Sequence, residues 1–157
     1  MALGAVLYTA VPLMERGPIP PPSAIVTQPE LFSSRKFVCF MAVAMGLNSG
    51  PHPLTSEGVK AAVLLKSPGA YALGKMGNDG VFYIDYVGRS DDDVADRLSK
   101  HTPEYYPQFF FGYHGTAQAA HAKECWLYHT FSPVKNINHP AKPKNSQLAC
   151  PECGFAG

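Results

Sequence analysis

The tripeptide Asn78-Asp79-Gly80 constrains this chain more than any other local feature. Asn and Asp tolerate left-handed backbone and Gly has no Cβ to oppose it, so the three residues suit a tight reversal. Strand-like runs flank it: Ala70–Leu73 before, and Val81–Val87, rich in β-branched and aromatic residues, after. An antiparallel hairpin is expected. Ala61–Leu65 also reads as a strand. Ser90-Asp91-Asp92-Asp93 reads as a helix start, with Ser90 as cap and acids facing the helix dipole, and this helix is expected to run to about Lys100. Gln108–Tyr113, with three consecutive phenylalanines, reads as a strand buried on both faces. Thr116 caps a second helix expected over Ala117 to about Phe131. The order is β-β-α-β-α, an α+β fold with a small three-stranded, mainly antiparallel sheet flanked by helices.

Composition divides the 157 residues into a proline-rich extension over 1–60, an organised domain over 61–138 and a tail over 139–157. Six of the fifteen prolines fall between Pro12 and Pro29, and Pro20-Pro21-Pro22 reads as extended backbone. Leu31–Met45 reads as a helix that is apolar nearly all round, hence either a core element or a face for a protein partner. Asn48–Pro53 reads as a separator. Ala2–Met14 is apolar but lacks a positive start and a clean small-residue cleavage site. The longest apolar run, Phe37–Met45, is nine residues, against the ~20 a membrane helix needs. No membrane partner is expected, and a cytoplasmic, reducing compartment is favoured, where paired cysteines more often mean metal than disulfide. The formal net charge of +1 argues against tight, non-specific nucleic-acid binding.

The candidate chemistry starts at Glu124. On a helix its neighbours are Ala117, Ala120, Leu127, Tyr128 and Phe131, so the carboxylate sits mid-stripe on the inward face. An ionised group there is costly unless it is paired with a buried arginine or coordinates a metal. Arg97 and His101 are four apart and share one helix face. Arg97 either reaches the sheet or snorkels over the core edge, and His101 either joins it or caps the helix end. Tyr71 and Tyr86 come onto adjacent strands through the hairpin, with Arg89 at a strand end.

Together these residues resemble the GIY-YIG nuclease superfamily. Gly69-Ala70-Tyr71 matches the first motif and Tyr86-Val87-Gly88 the second. Arg97 follows Tyr86 by eleven residues, close to the family spacing. Glu124, with Asn136 beyond it, is similar to the helix that carries the family's metal-binding glutamate. The resemblance covers roughly residues 62–138, and Ala70 stands where an isoleucine-type packing residue is usual. It implies a metal-dependent endonuclease acting on DNA. Glu124 would hold one Mg²⁺ or Mn²⁺. Arg97, assisted by Arg89, would stabilise the transition state. Tyr71 would act as general base or orient the attacking water, Tyr86 and His101 would orient water and phosphate, and Asn136 would support them. The alternative is a non-catalytic, zinc-containing module that binds nucleic acid or protein and retains the fold.

The tail carries Cys150-Pro151-Glu152-Cys153-Gly154, half of a zinc knuckle. Structural zinc takes four ligands. Two of Cys125, His129 and His139 would complete the set, Cys125 and His139 being favoured and His129 their rival. Zinc there would staple the tail to the second helix in a structural role.

Overall fold

The computed structural model describes residues 45–156. The extension over 1–44, with the Pro20-Pro21-Pro22 run and all but the last residue of the helix expected over Leu31–Met45, lies outside the described residues.

The elements in chain order are β1 (Ser49–Pro53), α1 (Ser56–Ala62), β2 (Gly69–Met76), β3 (Phe82–Ser90), α2 (Val94–Ser99), β4 (Gln108–Tyr113) and α3 (Ala117–Phe131). The class is α+β. The antiparallel sheet has four strands rather than the expected three, in the order β1-β4-β2-β3. The added strand is β1, formed by the stretch read as a separator. Prolines are tolerated there because β1 is an edge strand, where a missing N–H breaks no interior ladder.

Two other local expectations fail for identifiable reasons. Ala61 and Ala62 end helix α1 instead of opening a strand. Thr55 caps that helix by accepting from the Gly58 N–H at 3.0 Å, and Val59 and Val63, four apart, both turn into the core. A short apolar run such as Ala61–Leu65 fits either period. The cap of α2 is Asp93, whose Oδ1 accepts from the Ala95 and Asp96 N–H groups. Ser90 remains in the β3 ladder opposite Gly69, and its hydroxyl accepts from the Asp93 N–H at 3.0 Å.

Period-2 alternation along the central strands splits the core by face. Tyr71, Leu73, Phe109 and Phe111 point to one side and pack with Val59, Val94 and Leu98 of α1 and α2. Ala70, Ala72, Val87 and Phe110 point to the other and pack with Leu127 of α3. The small pair Ala70 and Ala72 lets α3 lie close to the sheet.

Register explains the glycines of both Gly/Tyr motifs. Tyr71 pairs with Gly88 across β2 and β3. A Cβ on Gly88 would stand 2.5 Å from the Tyr71 hydroxyl, and one on Gly69 would stand 2.8 Å from the Gly112 carbonyl oxygen. The Tyr71 ring is fully buried and has nowhere to retreat. Gly88→Ala is therefore expected to destabilise the protein by about 1–3 kcal/mol through overpacking. Gly115→Ala, where an added Cβ meets nothing within 4 Å, is expected to stay within about 0.5 kcal/mol of wild type. Urea denaturation of both variants checks this.

Candidate functional site

The C-terminal half of β3 feeds both faces of the sheet, because alternate residues point opposite ways. Tyr86 turns toward the α2 side, where its ring packs on His101 at 5.4 Å and on Tyr71 at 6.4 Å between centroids. Arg89 has the opposite parity, the same as Val87, and meets α3. Since β3 is an edge strand, the two sets of side chains converge around its free edge. An open cleft of about 620 Å³ lies there, lined by Tyr86, Arg89, Arg97, Glu124 and Asn136 among others.

On the α2 side, the hydroxyl of Tyr71 and Nε2 of His101 are 2.8 Å apart and hydrogen-bonded. Burial pushes the Tyr71 phenol far up, with Tyr86 adding to the shift and the Arg97 guanidinium opposing it. Tyr86 is also raised, first by burial and then by the charge of Glu124, again against Arg97. Arg97 thus faces both phenols. On the other nitrogen of His101, Nδ1 lies 3.0 Å from Glu104 Oε2 without the alignment of a hydrogen bond.

On the α3 side, Glu124 is 8% exposed. Arg89 donates through Nη1 to Glu124 Oε2 and through Nε to Asp91 Oδ1, the latter at 2.7 Å. Burial still outweighs Arg89 and holds the Glu124 carboxyl above the usual glutamate range. Glu124 lines the cleft, and its Oε1 carries no hydrogen bond among the described residues. One carboxylate oxygen facing an open cleft fits a hard divalent cation that keeps most of its water.

The seven candidate residues fall into distinct positions. Tyr86, Arg89, Arg97, Glu124 and Asn136 line the cleft. Tyr71 and His101 stand behind it, both buried. Tyr71 is fully enclosed, and Tyr86 is the phenol that lines the cleft. The carboxamide of Asn136 pairs with the free edge of β3. It accepts from the Val87 N–H at 2.8 Å and donates to the Val87 carbonyl at 2.9 Å. Asp91, Glu104, Lys135 and Lys144 were not singled out by sequence. Asp91 read as a first-turn helix acid, and the other three lie in irregular segments with no periodicity to orient them.

A second cluster lies at the far end of α3. His129, His139, Cys150 and Cys153 present one ligand atom each, all within 4.8 Å of one another. His129 Nε2 and His139 Nε2 are 3.1 Å apart, Cys150 Sγ lies 3.4 Å from His129, and Cys153 Sγ lies 3.3 Å from His139. The edges of a tetrahedron with Zn–N and Zn–S bonds of ordinary length are about 3.3–3.8 Å, so this quartet could hold a metal such as zinc. His139 Nδ1 donates to the Pro140 carbonyl at 2.9 Å, which turns Nε2 toward the cluster. A tight backbone knuckle, with Gly154 N–H on the Cys150 carbonyl and the Cys150 N–H on the Phe155 carbonyl, sets the two thiols. Burial raises the Cys150 thiol, but the Glu152 and Cys153 N–H groups and the neighbouring thiols bring it down to about 6.

Cys125, favoured from sequence as the third ligand, is outside this quartet and His129 takes its place. Cys125 is fully buried, its Sγ lies 3.3 Å from His121 Nε2, and burial followed by the Cys150 thiol pushes its pKa far up.

The chain matches no family model, no curated protein and no solved structure. No described helix is long and apolar enough to cross a membrane.

Cobalt(II) added to the reduced protein is expected to give thiolate charge-transfer absorption saturating at about one equivalent. Cys125→Ser should keep that spectrum and Cys153→Ser should lose it. The raised Glu124 carboxyl also predicts a pH effect. The folded protein holds this proton to higher pH than the unfolded chain does, so Glu124 lowers stability as pH rises from about 4.3 toward the native value. In metal-free protein, urea midpoints measured across that window should fall more in wild type than in Glu124→Gln.

Proposed function

We propose that this chain is a small GIY-YIG-type endonuclease that hydrolyses DNA phosphodiester bonds with one divalent cation, Mg²⁺ or Mn²⁺, on Glu124, and that the His129–His139–Cys150–Cys153 quartet holds a structural zinc. The observation that carries the reading is the meeting of Tyr86, Arg89, Arg97 and Glu124 in one cleft, from two strands' worth of hairpin register and two helices. Charged and phenolic groups of this kind gathered at an open cleft suit phosphoryl chemistry.

The cation, when bound, supplies positive charge to the phosphate and the leaving oxygen. Arg97, already poised against two phenols, donates to the phosphate oxygens as negative charge grows on them. Arg89 is held in the ground state by Glu124 and Asp91 and assists Arg97. Tyr86 orients the attacking water. Tyr71 and His101 act through Tyr86 and Arg97 by fixing their positions, a reading supported by the packing of the Tyr86 ring on both.

A non-catalytic binding module is the competing reading. It is favoured by one observation, that Glu124 already has a partner in Arg89. Nicking of supercoiled plasmid in Mg²⁺ separates the two. The wild-type chain is expected to nick, Glu124→Gln to stay folded and lose cleavage, and Arg97→Ala to slow by roughly 10²–10³-fold. Absence of nicking by wild type, or equal nicking by Glu124→Gln, overturns the enzyme reading.

A further inference from the structure

The two walls of the cleft differ in charge. One is the turn and helix from Ser90 to Lys100. It carries Asp91, Asp92, Asp93 and Asp96 against Arg97 and Lys100, and Lys100 is tied to Asp96 at 2.7 Å. The other is the irregular segment after α3. From Ser132 to Ala149 it contains three lysines and no acid. Two of them, Lys135 and Lys144, are exposed and line the cleft. Neither makes an ion pair among the described residues.

This basic wall is pinned near its start and runs through the candidate metal cluster at its middle. Near its start the Lys135 N–H donates to the Asp85 carbonyl at 3.0 Å, and Asn136 caps Val87 on the edge of β3. At its middle, His139 both lines the cleft and belongs to the metal quartet. Beyond it the chain returns to the same quartet through Cys150 and Cys153. The metal seat and the cleft therefore share a segment.

We infer that the segment 133–144 is the nucleic-acid-gripping wall of the cleft, that Lys135 and Lys144 carry the phosphate backbone along it, and that metal in the His129–His139–Cys150–Cys153 quartet keeps it in place. This rests on the nuclease reading and adds to it the side on which the strand lies and the element that controls grip. The first wall offers phosphate Arg97 at the reacting centre, but its excess of acids repels the rest of the strand, which leaves the basic wall as the track. A segment without helix or strand holds two lysines at fixed positions only if it is anchored, and the quartet closes the loop that contains them.

The experiment is fluorescence anisotropy of a labelled duplex DNA oligonucleotide with the full-length, zinc-loaded Glu124→Gln chain, which binds without cleaving. Adding Lys135→Ala and Lys144→Ala is expected to weaken binding about tenfold at low salt and to reduce the slope of log affinity against log salt by about 2, with zinc content unchanged. Asp92→Asn on the opposite wall should not weaken binding. Cys153→Ser, which removes a ligand, should lose zinc, raise hydrogen exchange over 133–144 and weaken binding to a similar degree. Binding with an unchanged salt slope in the lysine variant overturns the wall assignment and leaves the nuclease reading standing. Equal binding by zinc-free Cys153→Ser protein, or failure of the wild-type chain to take up zinc, overturns the anchoring role. No binding of DNA by the zinc-loaded chain overturns both this inference and the reading beneath it.

Discussion

A carboxylate in the middle of an apolar helix face is the constraint around which the rest is arranged. Glu124 lies on α3 between residues that pack against the sheet, and it is nearly enclosed. Charge in that position requires an opposite charge within reach. Arg89 supplies it from β3, and Asp91 steadies Arg89 from the turn that follows. The pair ties the end of β3 to α3 and brings the turn over Ser90–Asp93 beside them. The cleft opens where these three elements meet. Removal of Arg89 would leave the Glu124 carboxylate buried without its ion-pair partner, so the geometry of the cleft and the stability of the helix–sheet contact are a single problem.

The opposite face of the same strand end is organised by packing. Tyr71 occupies the space that Gly88 leaves vacant, and its hydroxyl is satisfied by His101 just past α2. Tyr86 lies over both rings. Arg97 comes from α2 and faces the two phenols. The hairpin register fixes which residue is behind the cleft and which is in it. A slip of one residue between β2 and β3 would send Tyr86 to the α3 side and Arg89 to the α2 side. The bulge between Leu73 and Gly74, where a Cβ would strike the Tyr83 carbonyl oxygen, places a glycine where the ladder is irregular.

What was legible in the sequence was mostly local chemistry. The Asn78-Asp79-Gly80 reversal, the phenylalanine run of β4 and the Thr116 cap of α3 each declare themselves within a few residues, and those elements appear where expected. The inward face of Glu124 followed from helical period alone. What was not legible depended on distant partners. β1 is a strand only because β4 offers it an edge, and its own prolines and glycine read as a loop. The burial of Tyr71 depends on Gly88 and His101, seventeen and thirty residues away. The choice of His129 over Cys125 depends on the path of the tail. Both sit on one helical stripe with His121, four residues apart in turn, and period cannot say which end of the stripe the Cys150–Cys153 knuckle reaches.

The tail shows why a metal seat suits this fold. After Ser132, whose left-handed backbone ends α3, the chain forms no further helix or strand among the described residues. Its buried residues up to Ala149 are Pro133, Pro140 and Pro143. Proline limits the freedom of the unfolded segment without supplying a donor to any ladder, and three prolines bury too little apolar surface to hold eighteen residues in one place. Asn136 fixes one point by pairing with the edge of β3, and in doing so it blunts an edge strand that would otherwise offer Val87 to another chain. One fixed point leaves the remainder free to swing. Four donors converge from α3, the wall and the knuckle, and a metal held there would supply the second point with far more energy than any local packing available to a segment of this composition. A wall that is polar on its cleft side gains little from burial, and coordination at the quartet could hold it instead.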